Sequence, residues 1–177
     1  MTDMKEYASA LFLLANEEGQ VERIAEELDT LKALLLENPE YTTLLDTPAM
    51  KKEERLALAE SAFAGFSEYL LNTVLILAEK HLASGLIRLA DIYFELYDEA
   101  RGILRAEAVT AVKMTEEQAD KLARKLGDTT GKTVILKNTV DPSVLGGVKL
   151  RYGGSQLDGT VKAGLERFKQ ALEAAVL

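Results

Sequence analysis

Arg105-Ala106-Glu107-Ala108-Val109-Thr110-Ala111-Val112 decides the fold. Apolar and polar residues alternate in it enough to show the two-residue period of a half-buried strand. Composition changes at the same place. Residues 1–104 contain four glycines (Gly19, Gly65, Gly85, Gly102) and few β-branched residues, whereas residues 105–177 contain eight glycines and many threonines and valines. We therefore place a boundary at 104/105. The first part reads as an all-α six-helix bundle and the second as a small α+β domain.

Working back from the boundary, glycine, proline and capping residues divide residues 1–104 into helices with short turns. The first helix runs from about Met4 to Glu18 and stops at Gly19, a residue suited to the positive φ of a helix end. The second, Val21 to Glu37, carries Val21, Ile24, Ala25, Leu28, Leu31 and Leu35 on one stripe. Asn38-Pro39 reads as an N-cap followed by proline at the first helical position. That opens a short third helix, which ends before Thr47-Pro48. The fourth covers about Lys51 to Phe63. Ser67 is expected to cap the fifth, which runs to about His81, and Ser84-Gly85 breaks the chain before the sixth, Leu86 to Leu104. Turns this short predict a compact antiparallel bundle.

Working forward, Thr115-Glu116-Glu117-Gln118 is a capping-box pattern opening a helix to about Leu126. Thr133–Val140 is rich in β-formers and ends at Asp141-Pro142. Val148 and Leu150 alternate with Lys149 and Arg151 in a third strand, and Gly153-Gly154 suggests a hairpin. A last helix follows Asp158, with Val161, Leu165, Phe168, Leu172 and Val176 on one face.

Composition narrows the chemistry. The 177 residues include no cysteine and one histidine, so disulfide scaffolds, cysteine-ligated zinc, thiol catalysis and two-histidine mechanisms are excluded. Net charge is −8, the opposite of a protein that coats nucleic acid. The charge is uneven: residues 1–104 hold 9 Lys/Arg against 20 Asp/Glu, and residues 105–177 hold 12 against 9. The mostly apolar stretch Tyr69–Ala78 is far short of the roughly 20 residues that span a bilayer. No signal or transit peptide is read at the N-terminus. The expectation is a soluble intracellular chain.

Gly127-Asp128-Thr129-Thr130-Gly131-Lys132-Thr133 looks like the end of a phosphate-binding loop. Such a loop needs four residues between its glycines, and it follows a strand and opens a helix. Here there are three, and the helix precedes while the strand follows. His81, beside Lys80, reads as a cation near a helix C-terminus. The pairs Glu17-Glu18 and Glu53-Glu54 are adjacent on helices and do not face one another. No catalytic, cofactor or metal constellation emerges.

Apolar coverage is the stronger signal. The first helix has Tyr7, Ala8, Ala10, Leu11, Phe12, Leu13, Leu14 and Ala15 within nine residues, and the fifth has Tyr69, Leu70, Leu71, Val74, Leu75, Ile76, Leu77 and Ala78. At about 100° per residue these positions nearly encircle each helix, and such a helix must be covered on all sides. Either both are central in the bundle, or their outer faces leave a groove for a partner's amphipathic helix.

Gly146-Gly147-Val148-Lys149-Leu150-Arg151-Tyr152-Gly153, then Asp158, Val161 and Leu165, resembles the C-terminal signature of the δ subunit family of F-type ATP synthases, whose mitochondrial counterpart is the oligomycin-sensitivity-conferring protein. Tyr7-Ala8-Ser9-Ala10-Leu11-Phe12 resembles that family's Tyr-Ala-x-Ala-Leu-Phe opening. Glu6, Thr160 and Ala163-Gly164 depart from the usual residues, which leaves the contacts of the last helix open. The resemblance covers the whole chain.

It implies a non-catalytic stator subunit that resists rotor torque while the complex makes ATP from an ion gradient. Residues 1–104 would bind the N-terminal helices of α subunits on the catalytic head. Residues 105–177 would bind the b subunits of the peripheral stalk. The location implied is the cytoplasmic face of a bacterial cell membrane, without direct insertion, and with no cofactor, metal, nucleic acid or small-molecule substrate. The expected α-subunit groove is Tyr7, Ala8, Leu11, Phe12 and Ala15 with Leu70, Val74 and Leu77. Within the signature, Gly146 and Gly147 read as backbone requirements and Asp158 as a helix cap. Lys149 and Arg151 are expected to face the stalk or water. A generic helical adaptor with an unrelated helical partner is the alternative.

Overall fold

The computed structural model describes residues 4–144, 146–152 and 155–160. It divides between Tyr97 and Asp98 into two compact units. The division falls inside the sixth helix, seven residues before the boundary read from composition. At that point the Asp98 carboxylate takes a two-pronged bond from Arg105, Nε–Oδ2 at 2.5 Å and Nη2–Oδ1 at 3.1 Å, which fastens the end of that helix to the first strand.

The first unit contains α1 (Met4–Glu17), α2 (Val21–Glu37), α3 (Pro39–Asp46), α4 (Lys52–Phe63), α5 (Glu68–Glu79) and most of α6 (Leu86–Ala100), with a 3-10 turn at Ala83–Gly85. Gly19 ends α1 at φ +65°, and the Gln20 N–H closes back on the Ala15 carbonyl at 2.8 Å. The stripe of α2 is buried as read, with Val21, Ile24, Leu28, Leu31 and Leu35 all inside. Tyr93 of α6 is fully buried at the centre. Its hydroxyl donates to the Val21 carbonyl at 3.1 Å, and its ring meets Phe12 edge-on at 5.4 Å.

Several helix ends are closed by partners distant in sequence. Ser67 does not cap α5 with its own side chain. Instead Glu27 of α2 accepts from the Ser67 N–H (2.9 Å) and hydroxyl (2.5 Å), which puts a carboxylate at the positive end of α5. Asn38 likewise does not cap α3. Its Nδ2 donates back to the Leu34 carbonyl at 2.8 Å and closes α2. Asp46, at the end of α3, accepts the N–H groups of Ala83 (2.6 Å) and Ser84 (2.9 Å). His81 takes the left-handed backbone after α5, at φ +57°, with its Nδ1 3.1 Å from the Asp46 carbonyl. Its place is conformational as well as electrostatic, since histidine is among the residues enriched at positive φ. Arg55, 2% exposed, donates to the carbonyls of Thr47 (3.3 Å) and Met50 (2.8 Å) and holds the α3–α4 loop.

The second unit contains β1 (Ile103–Thr110), α7 (Glu116–Thr130), β2 (Thr133–Val140), β3 (Val148–Tyr152) and β4 (Ser155–Asp158), in the sheet order β2-β1-β3-β4. β1 and β2 are parallel, joined through α7; the other pairs are antiparallel. Thr115 and Gln118 form the expected capping box. However, α7 continues past Leu126 to Thr130, with Gly127 inside it at a point where a Cβ would lie 3.0 Å from the Lys132 carbonyl oxygen. Gly131, at φ +69°, is the helix C-cap, so the would-be phosphate loop is a helix end. Asn138 donates to the Ala108 carbonyl (2.9 Å) and Thr110 hydroxyl (2.8 Å) and accepts the Met114 N–H (2.8 Å), which pins the β1–α7 connection. The expected last helix with Val161, Leu165, Phe168, Leu172 and Val176, and the turn at Gly153-Gly154, lie outside the described residues.

Gly147 has φ +85°, and a Cβ there would collide with the Gly159 carbonyl oxygen. Gly19 has the same sign of φ with open space around it. Gly147→Ala should therefore destabilise the second unit by about 3 kcal/mol, strain and overlap together. Gly19→Ala should cost the first unit about 1 kcal/mol. Thermal unfolding of both variants checks the difference; equal losses would show that the close approach at Gly147 is unimportant.

Candidate functional site

The first candidate surface is the seam between α1 and α5. Lys80 Nζ donates to the Tyr7 hydroxyl at 2.8 Å. That hydroxyl is also the first cause of the raised Lys80 pKa. At the other end Tyr69 faces Glu18; burial first, then Glu18, pushes the Tyr69 pKa up. Start of α1 thus meets end of α5 and the reverse, so the two helices run antiparallel. Between the closures α1 rises about 16 Å, three turns.

Helical spacing sorts the residues along this seam. Of the eight expected groove residues, Ala8, Ala15, Leu70, Val74 and Leu77 are 0% exposed and Leu11 is 3% exposed. They bind the two helices into the core and present no surface. Tyr7 and Phe12 are half-buried against that core, Phe12 facing Tyr93 of α6. The outward apolar residues come from the same encircling sets: Leu14, 36% exposed, and Ile76, 45% exposed, with Ala10 and Leu13 beside them on α1. Ile76 shares a stripe with Tyr69, Thr73 and Lys80, and Leu14 lies between Tyr7 and Glu18. Coverage on all sides signalled that some apolar residues would remain outside. Periodicity does not say which, because every side of the helix looks alike.

Sequence reasoning missed a second apolar feature. A hollow of about 670 Å³ opens between α2, α3 and α4, lined by Leu34, Leu35, Tyr41, Leu44 and Phe63 among others. Its trace in the sequence is Leu34 and Leu44, which lie off the buried stripes.

The signature residues gather at one end of the sheet. Gly147 approaches Gly159, whose N–H donates to the Val148 carbonyl at 3.0 Å. Gly146 also takes a positive φ, 152°. Asp158 accepts from the Thr160 N–H (3.0 Å) and hydroxyl (2.7 Å), the geometry of a cap, although the helix it would open is outside the described residues. Arg151 donates to Glu107 at 3.2 Å across the β1–β3 pair. The Thr139 hydroxyl first, then Arg151, holds the Glu107 carboxyl below its ordinary range.

Exposed apolar residues on the first of two compact units suit a protein that works through its surfaces. The comparisons agree. A family model described as ATP synthase delta (OSCP) subunit matches residues 4–172. The chain is 38% identical over 172 residues to an ATP synthase subunit delta from Geobacillus sp. (strain WCH70), covering 95% of each. It is 35% identical to one from Syntrophomonas wolfei, covering 97% of this chain and 94% of the relative. Its fold matches a chain in the mitochondrial ATP synthase hexamer of Toxoplasma gondii with a TM-score of 0.75 at 24% identity, covering 97% of this chain and 98% of that one. The chain belongs to the ATP synthase delta (OSCP) subunit family. It is a structural, non-catalytic subunit with a stator role, linking the complex to its peripheral stalk.

The lowered Glu107 pKa has a pH consequence. Above the ordinary carboxyl value of 4.5 its stabilising contribution is present in full. As pH falls from there through the lowered value, the unfolded chain takes up the proton first, and the contribution is lost. Acid titration followed by circular dichroism should show that loss below about pH 4.5, and Glu107→Gln should flatten it. An unchanged acid limb in the variant would remove Glu107 from the account.

Proposed function

We propose that the two units divide the stator's work. The six helices of residues 1–104 seat the N-terminal helix of an α subunit along the α1–α5 seam. Residues 105–177 hold the b subunits, at the cytoplasmic face of a bacterial membrane. The observation that carries the first half is an apolar strip about three turns long, exposed at Leu14 and Ile76 and closed at each end by a polar pair. An amphipathic helix of matching length fits such a strip. Tyr7 closes one end of it, Phe12 packs on Tyr93 of α6, and Ala8, Leu11, Ala15, Leu70, Val74 and Leu77 lie in the core beneath. The acidic balance of this unit favours a docking segment with basic flanks, more through orientation and encounter than through affinity. A second reading places the partner in the hollow between α2, α3 and α4, because that recess is lined largely by apolar side chains.

Titration calorimetry with a synthetic α-subunit N-terminal peptide separates the two. Leu14→Asp and Ile76→Asp each alter an exposed side chain, so the fold should survive. Each should weaken binding at least tenfold, about 1.4 kcal/mol, while Leu44→Asp leaves it unchanged. The reverse pattern would move the site to the hollow.

A further inference from the structure

In the sheet order β2-β1-β3-β4, β2 is an outermost strand. Its eight residues pair with β1 in unbroken register, from Thr133 opposite Ile103 to Val140 opposite Thr110. Two bonds fix which of them turn inward. The Thr133 N–H donates to the Gly102 carbonyl and the Asp141 N–H to the Thr110 carbonyl, both at 2.9 Å. In a parallel pair, alternate residues direct both N–H and C=O to the same neighbour, so Thr133, Ile135, Lys137 and Thr139 serve β1. Val134, Leu136, Asn138 and Val140 turn their main-chain groups away from it. Those groups have no hydrogen-bond partner among the described residues.

An edge this regular is a template for another strand. Lys137, the one charged residue of β2, decides between occupants. Two copies of β2 paired antiparallel through all their outward groups would set Val134 against Val140 and Leu136 against Asn138. Lys137 would then stand opposite Lys137 of the other copy, and like charges directly opposite are destabilising. A carboxylate in that position is attractive instead. Glu107 lies opposite Lys137 on β1, but Thr139 and Arg151 already engage its carboxylate. Lys132, exposed and immediately before the strand, adds a second cation. The occupant has to be extended, because the groups on offer repeat at strand spacing and a helix bonds its own main chain.

We propose that the outer edge of β2 accepts an extended acidic segment of another protein as an added strand. About seven residues cover the stretch from Val134 to Val140, a span of about 20 Å. Main-chain bonds to Val134, Leu136, Asn138 and Val140 hold the segment. An aspartate or glutamate opposite Lys137 selects it. Side chains that alternate with that carboxylate fall on the side of Val134 and Leu136, where apolar residues fit. The site is made of main-chain groups and is independent of any helix seated on either unit.

The test uses the full chain, isotope-labelled, with amide hydrogen exchange read residue by residue by nuclear magnetic resonance. The probes are two capped peptides, Thr-Val-Glu-Val-Glu-Val-Thr and Thr-Val-Lys-Val-Lys-Val-Thr. In the chain alone the Leu136 and Asn138 amides should exchange fast while those of Ile135 and Lys137 are protected. The glutamate peptide at millimolar concentration should slow Leu136 and Asn138 at least tenfold, and the lysine peptide should not. Lys137→Glu should reverse that preference. Val140→Pro removes an outward N–H that β1 does not use, so the sheet should persist, and protection by the glutamate peptide should fall several-fold. Equal protection by both peptides, or by neither, overturns the proposal. Leu136 and Asn138 amides already protected in the dilute chain overturn it by showing the edge to be covered from within. Protection that rises with the concentration of the chain alone overturns it by making a second copy the occupant.

Discussion

The antiparallel pairing of α1 and α5 is the constraint from which the rest of the helical unit follows. Each helix is apolar nearly all round, so neither can lie on the surface with one face in water at no cost. Packing them into one core buries Ala8, Leu11 and Ala15 of α1 and Leu70, Val74 and Leu77 of α5. What remains outside, Leu14 and Ile76 with Leu13, lies between two polar closures. The same pairing that stabilises the unit therefore defines a strip of fixed length and direction. Tyr93 shows how closely the interior is tied together, with its hydroxyl on α2 and its ring on α1.

Carboxylates do a second kind of positioning. Glu27 reaches from α2 to the start of α5, and Asp46 from the end of α3 to the turn before α6. Each satisfies backbone N–H groups that the helix itself leaves open, and each ties a loop to a helix far away in sequence. Arg55 does the converse, giving its protons to the carbonyls of Thr47 and Met50. A subunit that must transmit force without yielding benefits from loops fastened in this way, because an unfastened loop is where a domain opens at least cost.

In the second unit the same logic is carried by glycine and by cross-strand charge. Gly147 allows the chain to pass against Gly159, and Glu107 accepts from both neighbouring strands, Thr139 on one side and Arg151 on the other. The signature residues are accounted for by these contacts: Gly147 by close approach, Arg151 by Glu107, Asp158 by Thr160. Lys137 and Lys149 lie on the same sheet face as Glu107 and Arg151.

Local physics made much of this chain legible in its sequence. The change from helical to two-residue period near residue 105, the stop at Gly19, the stripe of α2 and the capping box at Thr115 each depend on residues within a turn or two of one another. Backbone preference and periodicity report such features directly. Features that join distant residues were not legible. Ser67 looked like a cap, but Glu27, 40 positions earlier, is the acceptor. α7 looked finished at Leu126, yet the helix runs on to Thr130 and ends at Gly131, φ +69°. The encircling apolar sets of α1 and α5 announced a surplus. Only the packed bundle decided that Leu11 and Val74 lie inside and Leu14 and Ile76 outside, because the choice is made by the neighbour that arrives and not by the helix that waits.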